Sequence, residues 1–455
     1  MKYFFETYGC QMNSAESAAL ELVLRERGWE KAPSGEKADL VLLNTCSVRH
    51  TAETRLKGRL AHYEALKKAL ADNRVPAFTL IVAGCMASRL GAELKSAYPA
   101  IDQVMGTNAR SIFPAILEAV EQGRPFEPAS ETPVFSFSSS HLEAGAFRSF
   151  VPIMHGCNNF CSYCIVPYVR GREVSRSPAS IETELQLLAE KGVREITLLG
   201  QNVNSYHYSY SENPDSNGGR SKTGPDGLDF PGLLTFIARR VKDTSIEWVH
   251  FLSANPGDLS PETIAVMAEN RCFCRHLHLP VQHGSNRILA AMNRRYTREH
   301  FLTLAAELRK AIPGISLSTD ILVGFPGETE EDLEATLNLM KEIRFLYAYM
   351  YYYNPREGTA ACDLPNQVPE ETKLERLGRV IALQNKVTEE SLLARVGSRE
   401  RVLIEGISRK NADELIARTE KDEMAVLGGP KERIGSFAEV KLHSLKGRTF
   451  RAAFI

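Results

Sequence analysis

Three cysteines spaced as CxxxCxxC constrain this chain more than any other feature. They are Cys157, Cys161 and Cys164, and they follow an apolar run at residues 150–154 that has the pattern of a β-strand. Three thiolates on one short loop can hold three irons of a 4Fe-4S cluster, and the fourth iron then keeps an open position. A zinc site would need a second pair of Cys or His ligands, and no such pair lies nearby. The spacing therefore favours a cluster over zinc or purely structural thiols.

Three further cysteines occupy equivalent places near the N-terminus. Cys10, Cys46 and Cys85 each follow a predicted strand and precede a predicted helix. In an open parallel sheet such positions gather outside the carboxyl ends of the strands, where ligands bind. Free cysteines are also common core residues, but three at equivalent junctions favour a second metal or cluster site. We expect the other three, Cys272, Cys274 and Cys362, to be structural.

Length, charge and cysteine number set the class of protein. The chain has 455 residues, a net charge of −1 and nine cysteines, which suits about three globular domains and excludes a polycationic or disordered protein. Its longest apolar run, at 345–353, is far shorter than the ~20 residues of a membrane helix. Glu6 interrupts the N-terminus where a signal peptide would remain apolar. We expect a cytoplasmic protein with no membrane partner, whose thiols serve metals or chemistry rather than disulfides.

The order of predicted strands and helices indicates an α/β protein. Residues 1–125 alternate strands and helices as in an open parallel α/β domain, and residues 126–145 have the composition of a linker. Six short strand-like runs separated by amphipathic helices predict a partial (β/α)6 barrel over 146–385. Short β-like runs over 386–455 predict a small β-barrel. Residues 205–229, rich in Ser, Asn, Gly and Pro, predict a solvated insertion.

Polar and glycine-rich positions occur where the predicted barrel strands end. Barrel enzymes carry their sites on that face. Any one of these positions could be ordinary turn chemistry, but several in one partial barrel together indicate a cofactor-binding surface. The candidates are Gly200, Gln201, Asn202, Ser253, Gln282, Gly324 and Glu328.

The three-cysteine loop and the barrel resemble the radical S-adenosylmethionine superfamily. In that superfamily the open iron binds the amino and carboxylate groups of S-adenosylmethionine. The resemblance implies this cofactor here, next to the strand-end candidates. Tyr163 matches the aromatic position whose backbone usually contacts the adenine, with a packing role as the alternative.

The whole chain is similar to the methylthiotransferase family within that superfamily. The matching phrases are ETYGCQMN at 6–13, NTCSVR at 44–49, CIVPYVRGRE at 164–173 and LGQNVNSY at 199–206. The residues of these motifs are similar to those of the branch that acts on N6-isopentenyl (dimethylallyl) adenosine in tRNA. The resemblance implies two 4Fe-4S clusters, one on the CxxxCxxC loop and an auxiliary one on the N-terminal cysteines. The insertion departs from the pattern but touches no cysteine.

The implied activity is methylthiolation of C2 of that adenosine at position 37 of tRNA. It uses a radical made from S-adenosylmethionine, sulfur from or through the auxiliary cluster, and methyl from a second S-adenosylmethionine. The C-terminal segment resembles a TRAM domain, an RNA-binding barrel. Residues 392–455 carry 13 Lys and Arg against 9 Asp and Glu, which suits phosphate contacts or merely a solvated surface. The implied partners are the tRNA anticodon stem-loop and an electron donor such as a flavodoxin-type protein.

Other hypotheses remain beside this one. The enzyme could act on another tRNA adenosine or on a ribosomal protein, or the chain could be a non-catalytic iron–sulfur RNA binder. Arg170, Arg172 and Arg176 follow the cluster loop and are candidates for phosphate or cofactor-carboxylate contacts or for plain ion pairs. No side chain is assigned as catalytic.

Overall fold

The computed structural model describes residues 1–47, 50–73, 77–126, 137, 142, 145–210 and 227–455. The chain forms two compact units. The first comprises Met1–Glu143, His155–Asn158 and Cys164–Val174, and the second comprises Ala144–Met154, Asn159–Tyr163 and Ser175–Ile455. Most of the predicted linker and residues 211–226 of the predicted insertion lie outside the described residues. The four predicted domain ranges stay predictions.

The N-terminal part of the first unit is built on parallel strands covered by helices. In chain order its strands and helices are β1 (Lys2–Tyr8), α1 (Gln11–Glu26), β2 (Glu30–Lys31), β3 (Leu40–Thr45), α2 (His50–Asp72), β4 (Thr79–Gly84), α3 (Cys85–Ala97), β5 (Gln103–Met105) and α4 (Phe113–Glu121). The five strands form one sheet in the order β2-β1-β3-β4-β5, and every pair is parallel.

Continuous apolar runs explain the centre of this sheet. All of β3 is buried, and its residues alternate between two cores: Leu40 and Leu42 pack on one face, and Val41 and Leu43 pack on the other. Side chains of a strand point alternately to its two faces, and a central parallel strand is covered on both. The predicted open parallel sheet is confirmed.

Strands and helices of varied length follow residue 145. They are β6 (Arg148–Pro152), β7 (Met154–His155), α5 (Val166–Arg170), β8 (Val174–Ser175), α6 (Pro178–Glu190), β9 (Glu195–Leu199), β10 (His207–Ser209), β11 (Gly227–Asp229), α7 (Phe230–Val241), β12 (Trp248–Phe251), α8 (Pro261–Glu269), β13 (His276–His278), α9 (Asn286–Ala291), α10 (Arg298–Ala311), β14 (Ser316–Val323), α11 (Glu330–Ile343), β15 (Tyr347–Tyr352) and α12 (Glu370–Leu393). Of these, α5 belongs to the first unit.

Six parallel strands confirm the predicted partial barrel. Strands β6, β9 and β12 form one sheet and β13, β14 and β15 another, and a parallel bridge joins Val249 to Phe273 between them. Strand β13 ends at His278, and Pro280, two residues further on, has no N–H for the ladder. The insertion also differs from a wholly irregular loop, since β10 and β11 pair antiparallel at its two ends.

The C-terminal segment is a closed five-stranded barrel, as predicted. Its strands are β16 (Arg399–Ile407), β17 (Glu414–Thr419), β18 (Met424–Gly428), β19 (Phe437–Lys446) and β20 (Thr449–Phe454), in the order β16-β17-β18-β20-β19.

This C-terminal barrel packs against the amino ends of the partial-barrel strands. Arg418 donates to both carboxylate oxygens of Glu195, the first residue of β9, at 2.6 Å. The rings of Trp248, which opens β12, and Phe437 lie 4.8 Å apart. The carboxyl ends of the strands, where the candidate residues occur, are therefore the opposite face. No helix in the described ranges is both long and apolar enough to cross a membrane.

Candidate iron–sulfur and cofactor site

The structure brings the three N-terminal cysteines together. Cys10 precedes α1, Cys46 follows β3 and Cys85 opens α3, and β1, β3 and β4 are neighbours in the sheet. The thiol of Cys46 forms hydrogen bonds with both Cys10 and Cys85. The topological argument from strand ends is thus sufficient to place these three side chains side by side, and their role as cluster ligands stays a prediction.

The pKa values of two of these thiols are lowered. The hydrogen bond with Cys46 lowers the pKa of Cys10 to about 6 and also lowers the pKa of Cys85, and the charge of Arg170 lowers both further. The pKa of Cys46 is raised by its hydrogen bonds with the other two. Iron binds the thiolate form, so the surroundings of Cys10 and Cys85 favour metal binding.

Asparagines from two of the sequence phrases hold this site. Asn13 Nδ2 donates to Asn44 Oδ1 at 3.1 Å, and Asn44 Nδ2 donates to the carbonyl oxygen of Asn13 at 2.9 Å. Asn13 Oδ1 in turn accepts from the backbone N–H of Cys10 at 3.2 Å. These bonds tie the loop that carries Cys10 to the end of β3, one residue before Thr45 and two before Cys46.

The CxxxCxxC loop contributes Cys157 and Cys164 to the first unit. Gly156 has φ +79°, and a Cβ there would collide with the carbonyl oxygen of Arg172, so glycine is required beside the first cysteine. The N–H of Cys157 donates to the carbonyl oxygen of Gly171 at 3.2 Å. The segment at 170–173 is therefore packed directly on the CxxxCxxC loop.

The middle of the loop, with Cys161, belongs to the second unit. Arg294 Nη1 donates to Cys161 Sγ at 3.3 Å, and Asn293 Nδ2 donates to the carbonyl oxygen of Phe160 at 2.9 Å. The N–H of Ser162 donates to the carbonyl oxygen of Met292 at 3.1 Å. Sequence reasoning missed Arg294, because no motif links residues more than 130 positions apart.

Tyr163 packs into an apolar cluster at the carboxyl ends of β14 and β15. Its neighbours there include Met292, Leu322 and Tyr353. This is the packing role named as the alternative. Contact of its backbone with an adenine stays a prediction.

Ser253, Gln282 and Gly324 follow β12, β13 and β14 and share an unusual backbone. Their φ angles are +66°, +70° and +68°. For serine and glutamine this left-handed region is unfavourable, and such strain often accompanies ligand sites. Residues with left-handed backbones at the carboxyl ends of three neighbouring strands support a ligand-binding role for this end of the partial barrel.

Gly200, Gln201 and Asn202 follow β9 and differ in what they contact. A Cβ on Gly200 would collide with the side chain of Met154, so packing alone requires glycine there. Gln201 is partly buried. Asn202 is buried and donates through Nδ2 to Asp258 at 2.7 Å. Its Oδ1 has no hydrogen-bond partner within the described chain, which leaves one buried acceptor at this strand end for a ligand.

Glu328 is engaged inside the protein. It is buried, and its two carboxylate oxygens lie 3.2 Å from His283 Nε2 and 3.0 Å from Arg376 Nη1. A cofactor contact by this carboxylate stays a prediction.

The three arginines after the loop divide into different roles. Arg176 is buried and paired with Glu184, and Arg170 is buried and paired with Glu16 at 2.7 Å. Arg172 is exposed. Plain ion pairing thus describes Arg176, whereas Arg170 also lies beside the N-terminal thiols.

Sequence reasoning also missed a polar surface on β13, β14 and β15. His278 Nε2 lies 3.6 Å from Asp320 Oδ1, and the rings of His278 and Tyr349 are 5.6 Å apart. Tyr349 and Tyr351 are two residues apart on β15 and therefore lie on the same face of the strand. They are 54% and 45% exposed. The signal in the sequence was the alternation of polar residues along these strands.

Two of the remaining cysteines are poor metal ligands. Burial raises the pKa of Cys272 to about 11 and that of Cys274 well above its ordinary value. Both thiols are therefore protonated near neutral pH, which fits a structural role.

The donor set fits an iron–sulfur cluster. As the side chains stand, no group of three or more His, Cys, Asp or Glu residues in the described ranges is arranged as a metal site. The N-terminal trio nonetheless offers three adjacent thiols, two of them with lowered pKa values, beside a buried guanidinium. Thiolates are the ligands that hold 4Fe-4S clusters.

A candidate RNA-binding patch lies on the C-terminal barrel. Arg399 on β16 is paired directly opposite Lys441 on β19, and both side chains are exposed. Like charges facing each other across strands repel, and neither residue forms a salt bridge with another described residue. An anion such as a phosphate would stabilise this pair.

Three family models match successive stretches of the chain. Residues 2–106 match the uncharacterized protein family UPF0004, residues 151–340 match the radical SAM superfamily, and residues 393–455 match the TRAM domain.

Close relatives span the full length. The tRNA-2-methylthio-N(6)-dimethylallyladenosine synthase of Treponema pallidum (strain Nichols) is 50% identical, covering 100% of this chain and 99% of that relative. Proteins of the same name from Treponema denticola and Moorella thermoacetica are 48% and 41% identical; they cover 99% and 96% of this chain, and the matches span 99% and 94% of those relatives.

Solved structures share the fold at low identity. The radical S-adenosylmethionine methyltransferase TsrM from Kitasatospora setae, with cobalamin and a 4Fe-4S cluster bound, gives a TM-score of 0.55 at 16% identity, covering 79% of this chain and 77% of that chain. The cobalamin-dependent S-adenosylmethionine radical enzyme OxsB gives 0.50 at 12% identity, covering 85% and 56%. At these identities the likeness concerns the fold alone.

Proposed function

The chain belongs to the tRNA-2-methylthio-N(6)-dimethylallyladenosine synthase family of radical S-adenosylmethionine enzymes, and on that premise we propose that it methylthiolates C2 of N6-dimethylallyladenosine at position 37 of tRNA. The observation that carries the proposal is the pair of three-cysteine sets in a chain that aligns with these relatives end to end. Its cofactors are two 4Fe-4S clusters and S-adenosylmethionine.

The residues divide the work between the two cysteine sets. Cys157, Cys161 and Cys164 would hold one cluster, and Cys10, Cys46 and Cys85 the auxiliary one. The chemistry supplied by these cofactors when bound is reductive cleavage of S-adenosylmethionine and provision of sulfur.

Protein side chains then orient and shield the reacting groups. Arg294 donates a hydrogen bond to Cys161 Sγ and fixes the middle of the loop. Ser253 and Gln282, with their left-handed backbones, and the unpaired Oδ1 of Asn202 offer polar contacts to S-adenosylmethionine at the strand ends.

The RNA would be held by two surfaces of different kinds. The basic C-terminal barrel would contact phosphates, which supply affinity without reading sequence. Tyr349 and Tyr351 offer exposed rings on which a base can stack. Position 37 lies in the anticodon loop, and single-stranded loops are where RNA bases can be splayed out and stacked in this way.

We further propose a cytoplasmic enzyme served by a flavodoxin-type electron donor. The donor is supported by the chemistry, because each radical requires one electron delivered to the cluster on the CxxxCxxC loop. The location is supported by the proposed substrate, which is tRNA.

The test is a substrate panel. Anaerobically reconstituted protein, with S-adenosylmethionine and a reductant, is given anticodon stem-loops that carry adenosine, N6-dimethylallyladenosine or N6-threonylcarbamoyladenosine at position 37, or a ribosomal protein. Mass spectrometry should find a methylthio group only in the dimethylallyl substrate. Methylthiolation of the ribosomal protein or of another adenosine instead would assign the chain a different substrate, and no product with any substrate would contradict the proposal.

A further inference from the structure

In the buried guanidinium of Arg170, Nη1 has hydrogen-bond partners, whereas Nη2 has none among the described residues. Arg170 ends α5, and its side chain is 3% exposed. Nη1 donates to Glu16 Oε1 at 2.7 Å, with Glu16 4% exposed, and lies 3.4 Å from His155 Nδ1. Nη2 is buried and has no hydrogen-bond partner among the residues that the structure describes.

An unpaired buried donor calls for an explanation. A buried donor that has no acceptor costs roughly 1–3 kcal/mol of stability, and more when the donor is charged. Arginine and glutamate often pair through two parallel bonds, which would have satisfied Nη2 as well. The one-sided contact with Glu16 instead leaves Nη2 available for another acceptor.

The position of α5 places the Arg170 side chain near the N-terminal thiols. Ile165 and Val169 pack directly against Cys85, and Thr107 Oγ1 donates to the carbonyl oxygen of Val169 at 2.7 Å. The charge of Arg170 acts on both Cys10 and Cys85. All of these residues belong to the first unit.

We propose that Arg170 Nη2 forms one wall of an anion site that holds the sulfur-bearing anion, a hydrosulfide or methylthiolate, at the auxiliary cluster before transfer. This rests on the proposed function. Three cysteines leave one iron for an external ligand, and a buried site admits only a small anion. Because Glu16 neutralises Arg170, the pair offers a directed hydrogen bond without net charge, so the anion is positioned yet can leave.

The experiment isolates the auxiliary cluster. In a full-length C157A/C161A/C164A background, the reconstituted protein is titrated anaerobically with sodium hydrosulfide and followed by the electron paramagnetic resonance of the reduced cluster. The variants are Arg170→Gln, Arg170→Lys and the double variant E16Q/R170Q, which leaves no unpaired buried carboxylate. The matched control is Arg176→Gln, a buried arginine that also pairs with a glutamate.

Arg170→Gln should weaken hydrosulfide binding at least tenfold, Arg170→Lys should weaken it less, and Arg176→Gln should leave it unchanged. Unchanged affinity in Arg170→Gln or E16Q/R170Q with full iron content would overturn the proposal and assign Nη2 a buried water. Loss of iron from all three Arg170 variants, with Arg176→Gln intact, would also overturn it, because Arg170 would then be scaffold. An absence of iron in the background itself would overturn the auxiliary cluster and this site with it.

Discussion

A single hydrogen bond to a cysteine sulfur can change the reduction potential of the cluster which that cysteine holds. The Cys161 thiol has such a bond from Arg294 at 3.3 Å, whereas the neighbouring Arg295 is exposed. Hydrogen bonds to cluster sulfurs make reduction easier, so these adjacent arginines form a matched pair for testing this contact.

Replacing Arg294 by Met should lower the midpoint potential of the cluster that we propose on the CxxxCxxC loop. The expected shift is roughly 65–130 mV, the one-electron equivalent of the ~1.5–3 kcal/mol of a hydrogen bond to a charged group. Potentiometric titration of the C10A/C46A/C85A protein, which keeps only this cluster, measures it. Equal potentials for Arg294→Met and the control Arg295→Met would argue against a role for this bond.

Histidines under the C-terminal barrel should make stability depend on pH. Burial lowers the pKa of His276 to about 4 and that of His250 well below its ordinary value. The unfolded chain takes up these protons near pH 6.5 and the folded chain does not, so stability should fall as pH drops from about 6.5 to 4. The slope is at most about 1.4 kcal/mol per pH unit for each histidine.

Thermal unfolding of His276→Gln between pH 7 and 4.5 checks this. The variant should lose less stability on acidification than the wild type, and a variant of the exposed His443, His443→Gln, should behave as the wild type does. Parallel pH profiles for His276→Gln and the wild type would refute the assignment.

At the scale of elements, the hydrophobic pattern of the sequence was sufficient to predict the strands and the positions that follow them. The continuous apolar runs of β3 and β4 and the junction cysteines after them were enough to predict a parallel sheet with thiols at its carboxyl edge. Arg294 could not be found in this way, and neither could the pairing of the candidate Arg170 with Glu16, because Cys161 and Glu16 are distant from these arginines in sequence and meet them only through packing. The tyrosines at 347–353 were predicted as a strand-like apolar run, but their exposure was not predicted, since exposure cannot be deduced from composition.

The tyrosines of β15 should bind the target base. Stacking of a base on an aromatic ring contributes roughly 1–3 kcal/mol, so Tyr349→Ala and Tyr351→Ala should each weaken binding of a dimethylallyladenosine stem-loop by about 5- to 150-fold. Tyr352→Ala, on the opposite face of the strand, is the control. Fluorescence anisotropy measures the affinities, and losses no larger than that of Tyr352→Ala would exclude the stacking role.

At the scale of the whole chain, the C-terminal barrel is part of the second unit and not a detachable module. Arg418 and Glu195 are both buried, and leaving such a glutamate unpaired typically costs about 3–5 kcal/mol. Deleting the segment from Leu392 onward would therefore uncover the base of the partial barrel. Surface charge changes are the cleaner way to test RNA binding.

The double variant Arg399→Glu with Lys441→Glu should weaken tRNA binding and flatten its salt dependence. Each lost phosphate contact should reduce the slope of log affinity against log salt by roughly 0.7 to 0.9. The exposed pair Lys242→Glu with Lys310→Glu makes the same change in net charge elsewhere on the second unit. Equal effects of the two double variants would show that overall charge, and not this patch, holds the RNA.

The central claim is that two cysteine sets have separate tasks in one reaction. The most direct measurement is mass spectrometry of 5′-deoxyadenosine and of tRNA nucleosides after incubation with each triple alanine variant. C157A/C161A/C164A should form neither 5′-deoxyadenosine nor the 2-methylthio nucleoside. C10A/C46A/C85A should still form 5′-deoxyadenosine and no 2-methylthio nucleoside. Radical formation by the first variant, or 2-methylthio product from the second with inorganic sulfide alone, would contradict this account.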